Sequence, residues 1–172
     1  MSGQNNQNRK LQNLINIGKM ADVSVGAAEL VDNSVGNAAL GASQPKHLKF
    51  IYDFGVLTGD VGAITLLNGD TGDAQTIPDN AVITRAYFEP TTTLTGGTTS
   101  HNLSLGFTGD TDAFLGATAR NNAMFTAPAI TELTAGVPVK TTGAVSVLLT
   151  VAGTALTAGV AYVWVEYYEG LA

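Results

Sequence analysis

Two histidines and no cysteine limit the chemistry open to this 172-residue chain. Without thiols there is no thiolate nucleophile, no iron–sulfur cluster and no zinc site built on sulfur. His47 and His101 fall at strand edges beside polar neighbours. An imidazole acts as a base only beside a group that needs its help. No serine lies in a Gly-x-Ser-x-Gly elbow, and no glycine-rich stretch runs into Lys-Ser or Lys-Thr to cradle phosphate. His101 therefore reads as a solvated or hydrogen-bonded loop residue. Asp60, Asp70, Asp73, Asp79, Asp110 and Asp112 lie in turn-like stretches, where aspartate bonds its own backbone and tolerates left-handed conformations. Asn68-Gly69-Asp70-Thr71-Gly72-Asp73 has the outline of a calcium loop but lacks the alternating ligands and the distal glutamate. Asp110-Thr111-Asp112 offers at most a weak cation contact. A glycosidase needs two carboxylates across a sugar-lined cleft, and no spacing marks such a pair. The expectation is a non-enzymatic chain with no catalytic residue, cofactor or metal site.

The elements that carry these residues alternate with period two from His47 onward. Leu48, Phe50, Tyr52 and Phe54 alternate with Lys49, Ile51 and Asp53. Further strands are expected at Val61–Leu67, at Ala81–Phe88 (stopped by Pro90), and at Asn102–Phe107, Val137–Thr141, Ala144–Val151 and Val160–Tyr168. Gly, Asp and Thr turns separate them. A helical turn is expected around Ala113–Arg120, where Phe114 and Leu115 interrupt the alternation. Seven or eight short strands with almost no helix predict an all-β fold, a jelly roll or β-sandwich. In the last strand Ala161, Val163, Val165 and Tyr167 face one way, and Tyr162, Trp164, Glu166 and Tyr168 the other. Val145, Val147, Leu149 and Val151 offer a matching aliphatic face. The second aromatic face suits a subunit contact, burial within the monomer, or a platform for sugar rings.

Charge and aromatic content divide the chain near Gln44-Pro45-Lys46. Residues 1–49 hold five basic and three acidic groups, a balance of +2. Residues 50–172 hold three and eleven, a balance of −8. Every Phe, Tyr and Trp lies at Phe50 or later, and a stretch without aromatics rarely builds its own core. The reading is an extended N-terminal arm over 1–20, a linker or short stalk over 21–46, and a β-domain over 47–172. Leu11, Leu14 and Ile15 fall at i, i+3 and i+4, the stripe of a short helix that Gly18 would stop. Such a helix is marginal alone and orders on a partner. Arg9 and Lys10 beside it suit an acidic protein surface. Val25-Gly26-Ala27-Ala28-Glu29-Leu30 echoes ten residues later as Val35-Gly36-Asn37-Ala38-Ala39-Leu40. Two such copies enclose nothing alone. Val25, Leu30, Val35 and Leu40 would be covered by sister chains in a stalk, or the segment is a flexible Gly/Ala linker.

Only 13% of residues are charged and 45% are hydrophobic, the opposite of a disordered composition. No apolar run approaches the roughly 20 residues of a membrane span. The opening MSGQNNQNRK has no apolar stretch behind its basic residues, so no secretory signal is expected. A β-domain at −8 repels phosphate, and three cations cannot neutralise a run of it, so nucleic acid is not an expected partner.

Three stretches carry a resemblance: Thr76–Ile83, Leu103–Leu115 with its Gly-Phe-Thr-Gly-Asp-Thr-Asp centre, and Leu156–Tyr168. Together, over about residues 47–172, they resemble small virion structural proteins of tailed bacteriophages, the capsid decoration or cement proteins. Asp32–Leu40 is similar to short repeats of phage fibre stalks. The resemblance implies a jelly-roll or sandwich domain, a homotrimer, the major capsid protein as partner and a place on the capsid exterior after synthesis in the host cytoplasm. No functional residue carries over from it. On this reading Arg9, Lys10, Leu11, Leu14 and Ile15 dock on the capsid, while Val25, Leu30, Val35, Leu40, Tyr162, Trp164 and Tyr168 form the trimer interface. The alternative is a short fibre module that recognises a host glycan through Tyr162, Trp164 and Tyr168.

Overall fold

Alternation at the start of the β-domain becomes a half-buried strand. The computed structural model describes residues 44–97 and 101–169, so the arm, the stalk and their site residues lie outside the described residues. Strand β1 (Lys46–Asp53) buries Phe50 and Tyr52 and turns His47, Lys49 and Ile51 to its other face. Asp53 ends it by accepting the Gly55 N–H at 2.8 Å, which starts the single turn α1 (Phe54–Leu57). The chain continues through β2 (Gly62–Thr65), β3 (Leu67–Asn68), β4 (Ala81–Gly96), β5 (Asn102–Phe107) and β6 (Asp110–Ala119). A 3₁₀ turn at Ala123–Phe125 leads to β7 (Thr131–Leu133), β8 (Val139–Lys140), β9 (Val147–Ala152) and β10 (Leu156–Glu169).

These strands form a sandwich of two antiparallel sheets. One has the order β3-β1-β10-β4-β7, with β8 also paired to β4; the other has the order β2-β9-β5-β6. Setting aside the two-residue strands β3 and β8 and renumbering the rest from one to eight, the orders read 1-8-3-6 and 2-7-4-5. Each strand of the first half lies beside one of the second, as in a long hairpin rolled up. The core fills the space between the sheets with Phe50, Tyr52, Phe88, Phe114 and Phe125 and the aliphatics of β9 and β10. Phe88 and Phe125 meet edge to face at 5.5 Å, a favoured ring geometry. Ala161, Val163, Val165 and Tyr167 are buried, as the alternation predicts, and Val145, Val147, Leu149 and Val151 meet them from the other side.

Several expectations about strand limits are corrected. Pro90 does not stop β4; it pairs opposite Ala161 where the register with β10 shifts, and such an irregularity tolerates a residue without a donor. The strand therefore runs on to Gly96. Residues 113–120 are not a helical turn but most of β6. Adjacent Ala113 and Phe114 are both buried because the β5–β6 register slips between Phe107↔Asp110 and Leu105↔Leu115. The expected strand at 61–67 is two strands in different sheets, with Leu66 fully buried at the crossing. The strand expected at 137–141 shrinks to β8, and β7 carries no alternation long enough to have been foreseen.

Candidate interaction surface

The histidines do not come together. His47 is exposed on β1, whereas His101, just before β5, is fully buried and engaged. A Cβ on Gly96 would lie 2.4 Å from the His101 Cε1, so the ring fills the place of a side chain there, and a solvated loop position is ruled out. The aspartates do what turn chemistry asks. Asn68 Oδ1 accepts the Asp70 and Thr71 N–H groups at 2.8 and 3.1 Å, Asp79 accepts the Asn80 N–H, and Asp60 accepts the Thr58 hydroxyl at 2.9 Å. Among the described residues no cluster of three or more His, Asp or Glu could hold a metal ion, and no helix is long and apolar enough to cross a membrane.

What the sequence does assemble is the outer face of the larger sheet. Successive rows cross its strands in register. Lys49, Trp164, Tyr87 and Glu132 form one row from β1 to β7, and Leu67, Ile51, Tyr162 and Glu89 form the next. The Lys49 ammonium lies 4.4 Å from the Tyr162 ring centroid and 5.3 Å from that of Trp164, a cation–π geometry. It also donates to Asp70 Oδ1 at 2.8 Å. That hydrogen bond holds the lysine above its usual pKa, against a smaller opposing effect of burial. Trp164 Nε1–H donates to Glu89 at 2.8 Å, and the Thr84 hydroxyl donates to Glu166 at 2.8 Å. Arg85 bonds Tyr87, which with Glu166 and Glu132 nearby raises its pKa.

Of the expected interface residues, the structure brings Tyr162 and Trp164 together, with rings 6.4 Å apart. Tyr168 shares their face but lies beyond the Glu166 row, opposite Val82. Among the described residues no second layer buries the face: Trp164 is 37% exposed and Tyr162 and Tyr168 are half-buried. Burial on both faces is therefore corrected for the described residues. Lys49 and Glu89 are the members that sequence reasoning missed. Their signal was the outward phase of Lys49 on β1, but the pairing of the first and last strands that brings it over Tyr162 is a tertiary fact.

No protein-family model and no curated protein matches the sequence. Solved structures do share the fold. A chain of the cyanophage Pam1 capsid asymmetric unit superposes with a TM-score of 0.54 at 21% identity, covering 73% of this chain and 84% of that one. A chain of the Ralstonia phage GP4 capsid gives 0.52 at 15% identity, over 76% and 88%. One from the acidic stable capsid structure of Helicobacter pylori bacteriophage KHP30 gives 0.50 at 16%, over 72% and 86%. At such identities the likeness is one of fold.

Proposed function

We propose that this chain is a non-enzymatic structural protein of a phage virion, a decoration or cement protein that binds the outer surface of the head as a trimer. The observation that carries this reading is the shared sandwich, which follows a chain from each of three phage capsids over 84–88% of its length. Strand order supports it: 1-8-3-6 against 2-7-4-5 is the rolled hairpin of a jelly roll, an architecture that recurs in viral capsid domains. The outer face supports self-association. Lys49 is bonded to Asp70, Trp164 to Glu89 and Glu166 to Thr84 within the chain. A second surface can cover Tyr162, Trp164 and Tyr168 while Lys49 keeps its ion pair and both glutamates keep a hydrogen bond within the chain.

In this reading residues 1–20 dock on the major capsid protein through Arg9, Lys10, Leu11, Leu14 and Ile15. Residues 21–46 link or stalk the trimer, with Val25, Leu30, Val35 and Leu40 against sister chains, and residues 47–172 are the jelly roll. The protein is made in the host cytoplasm and sits on the capsid exterior, with neither nucleic acid nor membrane as a partner. Deleting residues 1–20 is expected to leave trimers intact and abolish saturation of empty shells, measured by co-sedimentation. Truncated trimers that still saturate shells would remove the arm from the mechanism.

Exposure of Trp164 favours a second reading, a fibre module that stacks a host glycan on Tyr162, Trp164 and Tyr168. Lys49 speaks against it, because its ammonium occupies the ring faces where a sugar would lie. Trp164→Ala separates the two. Loss of trimers in sedimentation supports the structural role, whereas intact trimers that lose glycan binding support the module.

A further inference from the structure

The turn with the outline of a calcium loop carries the one Asn-Gly step in the chain, Asn68-Gly69. Asparagine before glycine is chemically labile. With no side chain to shield it, the glycine nitrogen can attack the side-chain amide carbon of the residue before it. The fold asks for both residues. Asn68 Oδ1 accepts the Asp70 and Thr71 N–H groups at 2.8 and 3.1 Å, the asparagine turn that shapes the loop. A Cβ at position 69 would lie 2.7 Å from Lys49 Cγ, and the lysine is held in that place by its 2.8 Å bond to Asp70. The labile step thus follows from how the turn is built.

The two halves of the reaction are set in opposite senses. Negative charge in the addition step would gather on Oδ1, where two N–H donors already point. The nucleophile, however, is withheld. Gly69 N–H donates to the Lys49 carbonyl at 2.8 Å, continuing the ladder in which Ile51 pairs with Leu67 and Phe50 with Asn68. A peptide nitrogen attacks only after it gives up its proton and turns towards the amide carbon. This hydrogen bond retains the proton and fixes the peptide plane. Attack therefore waits until β3 leaves β1, a local opening.

We infer that Asn68 is a covalent modification site closed by the β1–β3 contact, and that it deamidates through a succinimide when that contact opens. Gly69 N bonds to Asn68 Cγ, the Cγ–Nδ2 bond breaks, and Nδ2 departs as ammonia with the proton that Gly69 gave up. Water then opens the ring. Attack at Cγ gives aspartate, whereas attack at the Asn68 backbone carbonyl gives isoaspartate, in which the main chain runs through Cγ. The second product lengthens the main chain by one carbon and dismantles the turn that places Asp70. Lys49 then loses its anchor, and its ammonium leaves its station 4.4 Å from the Tyr162 ring centroid and 5.3 Å from that of Trp164. A change in one turn thereby reaches the aromatic face of the sheet. Neither step requires a trimer.

The test follows Asn68 in the whole protein by peptide mass spectrometry at mildly alkaline pH, in buffer and in guanidinium chloride. Hydrogen exchange of the Gly69 amide is measured on the same folded samples. Where opening and closing outpace the chemistry, the rate follows the open population. Asn68 is expected to react about tenfold or more slowly in the folded protein, which corresponds to about 1.4 kcal/mol of opening. Gly72 has a φ of 77°, a region that a β-branched residue enters only under strain. Gly72→Val should therefore raise deamidation and Gly69 exchange by the same factor in buffer, and leave the rate in guanidinium chloride unchanged. Equal rates in the folded and unfolded protein would overturn the inference, as would slow deamidation beside a freely exchanging Gly69 amide. An Asn68 that stays intact in guanidinium chloride would show that it is no modification site. Trp164 is the chain's one tryptophan, so its emission reports the second step. The isoaspartate form should shift towards the emission of Lys49→Met, and an emission identical to that of the unmodified protein would sever the turn from the aromatic face.

Discussion

Tyr52 couples the core to pH. Its ring is 1% exposed, and its hydroxyl donates to the Thr58 carbonyl at 2.8 Å where the chain leaves α1. Burial, with the Asp53 and Asp60 carboxylates adding to it, pushes the phenol up to about 12. The unfolded chain would release that proton near pH 10. The stabilisation is therefore complete below pH 10 and is lost as pH rises towards 12. Tyr167, raised by burial, shifts in the same direction, and so does Lys46, raised by its hydrogen bond to Glu169. Stability in urea is expected to hold from pH 7 to 9 and to fall between pH 10 and 12. Tyr52→Phe should lose about 1 kcal/mol at pH 7 with the hydrogen bond, and should show a shallower alkaline slope than the unaltered protein. Parallel slopes for the two proteins would clear Tyr52 of the effect.

At the scale of elements, the β5–β6 hairpin depends on a residue with no side chain. A Cβ on Gly106 would lie 2.2 Å from the Asp110 carbonyl oxygen and 2.6 Å from the Thr111 carbonyl carbon, both backbone atoms. Gly106→Ala must push the strands apart, and overpacking of this kind costs about 1–3 kcal/mol. Thermal unfolding should drop by several degrees, and an unchanged midpoint would mean that the hairpin relaxes freely. This hairpin also shows what the sequence could and could not disclose. Period two at Phe50 and Tyr52 and from Ala161 to Tyr167 reports burial directly, because one side of each strand meets the core along its whole length. Period two fails at Phe114 and Pro90, because irregular registers there move successive residues onto one face or accommodate a missing donor. Those registers depend on the partner strands. The candidate face is divided in the same way: Tyr162 and Trp164 are legible from β10 alone, whereas Lys49 and Glu89 join them only through strand pairing across the sheet.

At the scale of the whole molecule, the question is how small contacts yield firm attachment. In the proposed assembly each arm buries three aliphatics, Leu11, Leu14 and Ile15, at roughly 1.5–3 kcal/mol each in gross transfer. Ordering the segment and losing translational freedom offset much of that, so a single arm binds weakly. Three arms held on one trimer rebind before the others leave, and effective concentration raises apparent affinity by about 10²–10⁴. Titrating empty shells at fixed salt with trimers and with a variant dissociated at the sandwich, its arm intact, should give dissociation constants differing by that factor. The comparison isolates valence from chemistry, since both proteins present the same Arg9, Lys10 and apolar stripe. Equal affinities would mean that one arm suffices, and the trimer would then need another purpose.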